Sequence, residues 1–325
     1  MKLSNIRLEV MQTIEKSMED FMSKFMKPIE SYWQPSDLLP DTSSDNFQNE
    51  LREIQGCAKE MDNDLIAVLI GDTITEEALP TYEAWLMDVQ GIDQSKKTGW
   101  TQWVRAWTAE ENRHGDLLNK YLYLSGRVNM KEVEITTHHL INDGIDLGTA
   151  KDPYRSFVYT SFQELATNIS HRRVANLAKK TGNSILAKMC ALIAADEMRH
   201  HKAYSSFVKK IFEIDPSNMM LAFEDMMKHK IVMPAHFMRE SGGKIGSLFE
   251  QFSDAAQRTK VYTTQDYIDI FRGLIKDWDI ENMTELNEMA ERARDYIVAL
   301  PDRIQRISER MKVNTVEHQF KWILP

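Results

Sequence analysis

The segments Glu110-Glu111-Asn112-Arg113-His114 and Asp196-Glu197-Met198-Arg199-His200 decide the fold of this chain, and each contains Glu-x-x-His. On a helix, positions i and i+3 share one face about 5–6 Å apart. Glu111 with His114, and Glu197 with His200, can therefore each grip a metal ion. One such motif is weak evidence, because a surface glutamate beside a histidine gives the same pattern. The chain supplies its own control. Of nine histidines, only His114 and His200 have glutamate three residues upstream; the others carry Ile135, Thr136, Asn168, Met198, Met226, Met233 and Thr315 at that offset.

Further carboxylates stand at matching distances. Di-iron bundles take one glutamate from each of two helices and Glu-x-x-His from each of two others. Glu76 precedes Glu111 by 35 residues, and Glu164 precedes Glu197 by 33. Such intervals suit antiparallel helical hairpins, so the chain reads as two similar halves, each giving Glu and then Glu-x-x-His. Four glutamates supply hard anionic oxygens that can neutralise two Fe(II), and two imidazoles complete the set.

Local signals place these residues near the middle of long helices. Asp152-Pro153 is an N-cap followed by proline at the first helical position. It opens a helix that carries Glu164 and runs to Lys180, where Gly182 stops it. Asn183 caps the next helix, which bears Glu197 and His200 and runs to about Phe212, and Asp215-Pro216 begins another. Trp100 to about Leu124 carries Glu111 and His114 and ends near Gly126. Around Glu76, the apolar spacing of Tyr82, Trp85, Leu86 and Val89 favours one helix from about Leu65 to Val89, kinked at Pro80. The alternative is a break near Leu79.

Composition fits an all-α protein. Glycine and proline are few and no linker interrupts the middle, so residues 1–325 read as one domain. Its core bundle spans about 62–213, with peripheral helices in 1–61 and 214–325. The 19 methionines suit gap filling in a large helical core. Cys57 and Cys190 make no disulfide framework, and Cys190 sits in an apolar run as a buried thiol, which suits a reducing compartment. No apolar run nears the roughly 20 residues that span a bilayer. Met1 to Glu9 carries no secretory or transit signature. The expectation is a soluble protein of a bacterial cytoplasm, or of the plastid stroma if the chain is processed. A net charge of −9 argues against general nucleic-acid binding. Local basic patches can still receive an acidic partner: Arg172-Arg173 with Lys179-Lys180, Arg199 with Lys202, Lys209-Lys210, and Lys228-His229-Lys230.

Longer motifs carry a resemblance. Trp107-Thr108-Ala109-Glu110-Glu111-Asn112-Arg113-His114-Gly115-Asp116-Leu117-Leu118 is similar to the signature of the soluble acyl-carrier-protein desaturases. So are Thr73 to Tyr82, Tyr159 to Glu164, Ala194 to Glu197, Trp33 to Pro40 and Met233 to His236. The resemblance implies a ferritin-like four-helix core in a homodimer, holding two irons. The implied reaction inserts a cis double bond into an acyl chain on acyl carrier protein, with electrons from reduced ferredoxin. One iron would fall to Glu76 and His114, the other to Glu164 and His200, with Glu111 and Glu197 approaching both. Asp196 and Trp33 match positions that form an outer chain with a ligand histidine. Thr167, three residues after Glu164, matches a position assigned to proton relay or to hydrogen bonding of oxygen; its plain alternative is a bond to the Gln163 carbonyl.

Two departures concern the site mouth. Met198 and His201 stand where plant members commonly carry Lys and Glu, and Leu165 where they carry Arg; the loss of basic residues beside the mouth leaves carrier docking open. His201 points about 100° away from His200 and is not read as a ligand. Trp85 and Asp88 match positions that line the acyl tunnel in the family. Other classes fit less well. Ribonucleotide reductase small subunits need a radical tyrosine where this chain has Leu118. A non-catalytic ferritin-like iron store leaves the long segment after His200 unexplained, and another di-iron oxidase stands as an alternative.

Overall fold

The computed structural model describes residues 5–310, 312 and 314–324; Met1 to Ser4 of the N-terminal segment lie outside them. Thirteen α-helices account for the architecture of the described residues: α1 (Asn5–Glu15), α2 (Met18–Phe25), α3 (Phe47–Lys59), α4 (Asn63–Glu77), α5 (Leu79–Met87), α6 (Trp100–Ser125), α7 (Met130–Asp143), α8 (Pro153–Lys180), α9 (Ser184–Ile214), α10 (Pro216–His229), α11 (Phe249–Thr259), α12 (Thr264–Asp277) and α13 (Glu288–Ser308). The only extended pairing among these residues is an isolated bridge between Val128 and Ile323.

The four carrier helices α4, α6, α8 and α9 form the ferritin-like core, and their ends follow side-chain chemistry. Asp62 accepts from the Leu65 amide at 2.7 Å and starts α4. Asp152 accepts from the Tyr154 amide at 2.9 Å and starts α8, with Pro153 in the first turn. Asn183 accepts from the Leu186 amide at 3.1 Å while its amide donates to the Tyr121 hydroxyl at 2.7 Å, which ties the start of α9 to α6. Gly126 closes α6 in the left-handed conformation at φ 70°. The α8–α9 hairpin turns within three residues, as the spacing predicts.

Where the sequence favours one kinked helix around Glu76, the structure has two helices. Helix α4 ends at Glu77, Ala78 forms a turn, and α5 begins at Leu79 with Pro80 in its first turn. Proline has no N–H to continue the ladder and its ring crowds the preceding turn. The Thr81 amide bonds the Ala78 carbonyl at 2.9 Å and starts the new helix instead.

Helix α4 is deeply enclosed. Leu65 to Gly71 are all buried, because α6, α7 and α11 surround it. Gly71 permits this closeness: a Cβ there would stand 2.1 Å from the Phe252 ring of α11. One apolar core continues from Val10 to Trp322. Helix α10 buries Met219, Met220, Met226 and Met227, the gap-filling use expected of methionine. Cys57 and Cys190 are both free thiols, and Cys190 is buried. No helix among the described residues is long and apolar enough to cross a membrane.

Candidate metal centre

The six residues singled out in the sequence converge at mid-height of the bundle. Side-chain atoms of Glu76, Glu111, His114 and Glu197 lie within 4.8 Å of one another, and so do those of Glu111, Glu164, Glu197 and His200. Glu111 and Glu197 belong to both groups, so two adjacent positions share a pair of carboxylates. All six side chains are buried or nearly so.

The imidazoles show what the pocket is built to hold. His114 Nδ1 lies 3.1 Å from oxygens of both Glu111 and Glu197, yet it makes no hydrogen bond. His200 Nδ1 lies 2.6 Å from Glu111 Oε1 and is likewise without one, and Glu111 Oε1 is itself unpartnered. Buried polar atoms are ordinarily hydrogen-bonded. Nitrogens and carboxylate oxygens that face one another at these distances in ligand geometry fit cations between them.

The far side of each imidazole meets an acid from the other hairpin. His200 Nε2 pairs with Glu110 at 2.8 Å, and His114 Nε2 approaches Asp196 at 3.6 Å. A carboxylate behind a histidine orients the ring and leaves Nδ1 free for a metal. Arginines three residues on reinforce both acids. Arg199 bonds Glu110 and also Asp196 (2.8 Å), while Arg113 donates to Asp196 at 2.9 Å and to the Trp33 carbonyl at 2.8 Å. Trp33 Nε1 donates to Asp196 at 3.0 Å, the outer chain that the resemblance implies.

Glu110, Trp107 and His171 are participants that sequence reasoning missed. Trp107 Nε1 donates to Glu164 at 3.0 Å, and His171 Nε2 pairs with Glu76 at 2.9 Å. Two signals were present. Both motifs read acid-Glu-x-Arg-His, which pairs Glu110 with Asp196, and His171 follows Glu164 by seven residues, two turns along one face. The Thr167 hydroxyl reaches both backbone carbonyls and a carboxylate of the cluster. Its hydroxyl lies 3.2 Å from the Gln163 carbonyl and 3.0 Å from that of Glu164, but only 2.6 Å from Glu197 Oε2. A hydroxyl has one proton to donate, and the carboxylate is the nearest acceptor. His201 stays outside the cluster, its Nδ1 2.7 Å from the Ser161 carbonyl.

Charge is tightly coupled here. Burial opposes charge on His114 and His200, but Glu111 and the other acids facing each ring outweigh it and push both imidazoles well above their ordinary range. Burial likewise opposes charge on Glu111, yet the two imidazoles hold its carboxyl far below the usual range. Burial, together with Glu197 and Glu111, drives Glu164 well up. Without metal, protons therefore sit where cations would. A raised histidine pKa stabilises the fold fully below the unfolded value, near about 6.5, and that stability is lost as pH rises through the folded value. Glu164 acts in the same direction, since ionising it costs stability. The metal-free protein should accordingly melt at a lower temperature at about pH 9 than at about pH 6, and iron should remove most of the difference. A melting temperature independent of pH in the metal-free state would contradict protonated imidazoles.

A cavity of about 480 Å³ leads to this centre. Glu76, Glu111, Glu164, Glu197 and Thr167 line its inner end, while Leu79, Tyr82, Met233, Phe252 and Ile307 give it apolar walls. Trp85 is engaged elsewhere: its Nε1 donates to Thr149 at 2.9 Å and its ring packs edge-on against Tyr159.

The profile of the fatty acid desaturase family matches residues 6–324. A chloroplastic stearoyl-[acyl-carrier-protein] 9-desaturase of Spinacia oleracea is 48% identical over 323 residues, covering 98% of this chain and 80% of that protein. Stearoyl-[acyl-carrier-protein] 9-desaturase 1 of Arabidopsis thaliana is 47% identical over 324 residues, covering 98% and 82%. Among solved structures, the DesA2 protein of Mycobacterium tuberculosis shares the fold at a TM-score of 0.52 and 17% identity, over 89% of this chain and 99% of that one. With a profile match over nearly its whole length, the chain belongs to the fatty acid desaturase family.

Proposed function

We propose that this protein is an acyl-[acyl-carrier-protein] desaturase that inserts a cis double bond into a saturated acyl chain, with two irons as its metal cofactor. One observation carries the reading: a largely apolar cavity reaches the carboxylates of Glu76, Glu111, Glu164 and Glu197 and the Thr167 hydroxyl. Apolar walls suit a hydrocarbon chain, and the carboxylate end suits an oxygen-activating metal pair. Glu76 and His114 would hold one iron, Glu164 and His200 the other, and Glu111 and Glu197 both. Bound there, the irons would supply the oxidising power from dioxygen that removing two hydrogens from unactivated methylenes requires. Dioxygen takes four electrons to become two waters; two come from the acyl chain and two from an external donor.

The protein's own part is positional. The walls exclude water and hold the chain extended past the carboxylates. Glu110 and Asp196 orient the imidazoles, and Arg113 and Arg199 keep those acids charged. Thr167 donates to Glu197 and stands at the cavity end, where it can pass a proton. By the motif resemblance, we take reduced ferredoxin as the donor and a homodimer as the working assembly; from the sparse glycine and proline we take residues 1–325 as one domain, and from the free thiols a reducing compartment as its place.

Aerobic incubation of the iron-loaded protein with acyl-carrier-protein substrates of graded length, ferredoxin and its reductase tests the reading. Mass spectrometry should show loss of two mass units at one bond position. No dehydrogenation of any length, with two irons bound, would overturn it; iron oxidation without product would point to an iron store or another oxidase. Thr167→Val should keep both irons and slow product formation roughly 10- to 100-fold, since a hydrogen bond to a charged group is worth about 1.5–3 kcal/mol. Thr167→Ser should restore most of the rate.

A further inference from the structure

We infer that Asp72 supplies the protons that Thr167 passes to the metal centre, with Ser170 as the link between them. The inference rests on the desaturase reading and deepens it by naming the source of the protons that the reaction consumes.

Oxidation of the chain sets the demand. Dioxygen takes two hydrogens from the acyl chain, two electrons from the external donor and two protons from solvent, and leaves as two waters. The cavity that leads to the centre has largely apolar walls, so those protons need fixed polar stations. Thr167 alone is not enough, because a hydroxyl has one proton and must regain it after each donation.

The polar groups of the wall form a sequence of such stations. Thr167 and Ser170 of α8 and Asp72 of α4 all line the cavity. Thr167 donates to Glu197 Oε2 at 2.6 Å, and Ser170 Oγ donates to Asp72 Oδ2 at 2.9 Å. As i, i+3 neighbours on one helical face, Thr167 and Ser170 stand about 5–6 Å apart, a gap that one water bridges. When Asp72 carries a proton, its contact with Ser170 runs in reverse: the carboxyl donates, and the serine hydroxyl hands its own proton on. Toward solvent, α11 packs on α4 at Gly71, beside Asp72. Ser253 and Gln257 of α11 line the same cavity, and Gln257, Thr263 and Ser308 also border the open cavity next to it.

Asp72 suits the role better than its neighbours do. It belongs to neither ligand group, so a metal does not displace its proton. Burial pushes its carboxyl up to about 6, with His171 and the Ser170 hydrogen bond from α8 offsetting part of the rise and Glu76 and Glu197 adding to it. Helix α6 contributes Glu111 to the same cavity, and the α11 side chains that line it are uncharged. A carboxyl in that range both holds and releases a proton near neutrality. The Tyr82 hydroxyl also lines the cavity without a partner, but burial pushes it well above the ordinary phenol range. Thr75 spends its hydroxyl on the Asp72 carbonyl at 2.9 Å, and His171 is engaged by Glu76 at 2.9 Å.

Asp72→Asn keeps the side chain's size and removes its exchangeable acid. The iron-loaded variant should hold two irons per chain and keep its KM for acyl carrier protein, while kcat falls about 100-fold. The solvent deuterium isotope effect on kcat should rise, since proton supply then limits turnover. Ser170→Ala should act in the same way, and Ser170→Thr should restore most of the rate. Infrared difference spectroscopy reads the proton without turnover. At about pH 5, the iron-loaded parent minus Asp72→Asn should show the carbonyl band of one protonated carboxyl. Unchanged kcat and isotope effect in Asp72→Asn, loss of iron from that variant, or absence of the band would overturn the inference. The band without turnover of any acyl carrier protein by the unaltered protein would instead overturn the functional reading on which it rests.

Discussion

Replacing Glu197 by alanine should empty both metal positions at once. Glu197 is common to the two ligand groups, lies 3.1 Å from His114 Nδ1 and accepts the Thr167 hydroxyl at 2.6 Å. Loss of an outer partner alone costs about 10–100-fold in metal affinity; loss of a shared carboxylate should cost more at each position, and dehydrogenation should fall below detection. The metal-free variant should still melt cooperatively, although His114 and Thr167 each lose a carboxylate neighbour, which separates lost metal from lost fold. Iron analysis and thermal melting together check this. Two irons per chain in the variant would show that the ligand assignment is wrong.

Gly115→Val should strip one metal and leave the other. Gly115 on α6 faces the backbone of α4, and a Cβ there would stand 3.0 Å from the Glu77 nitrogen and 3.1 Å from the Glu76 carbonyl carbon. Valine adds two methyls beyond that Cβ, so α4 must retreat and carry Glu76 with it. Overpacking of this kind costs about 1–3 kcal/mol. Glu76 belongs only to the group with His114, while Glu164 and His200 sit across the shared pair on α8 and α9. Iron titration should show one site weakened by more than tenfold and one near its original affinity. Two sites of unchanged affinity would mean that α4 is not held against α6 in the way described.

Much of this was legible in the sequence because it depends on local rules. Asp152-Pro153, Gly182-Asn183 and Gly126 mark helix ends through capping and left-handed backbone, and the structure places ends at each. The i, i+3 spacing puts Glu and His on one helical face wherever the helix sits. The break at Ala78 was harder, since apolar spacing continues across it and only the missing N–H of Pro80 opposes a continuous helix. Glu110 and His171 were not assigned because their roles arise between helices. Glu110 meets His200 from 90 residues away and His171 meets Glu76 from 95. Periodicity orders residues on one helix, but it does not say which side chains of neighbouring helices meet. The basic patches show the same limit: four were visible in the sequence, and only the cavities distinguish those at the mouth from ordinary solvated faces.

On this reading, two helical hairpins, each giving Glu and Glu-x-x-His, hold a pair of irons beside an acyl cavity, and anomalous diffraction at the iron edge from crystals of the iron-loaded protein would locate them. Two peaks per chain are expected, one between Glu76 and His114 and one between Glu164 and His200, with Glu111 and Glu197 near both. A single peak, or iron bound away from these six side chains, would contradict it.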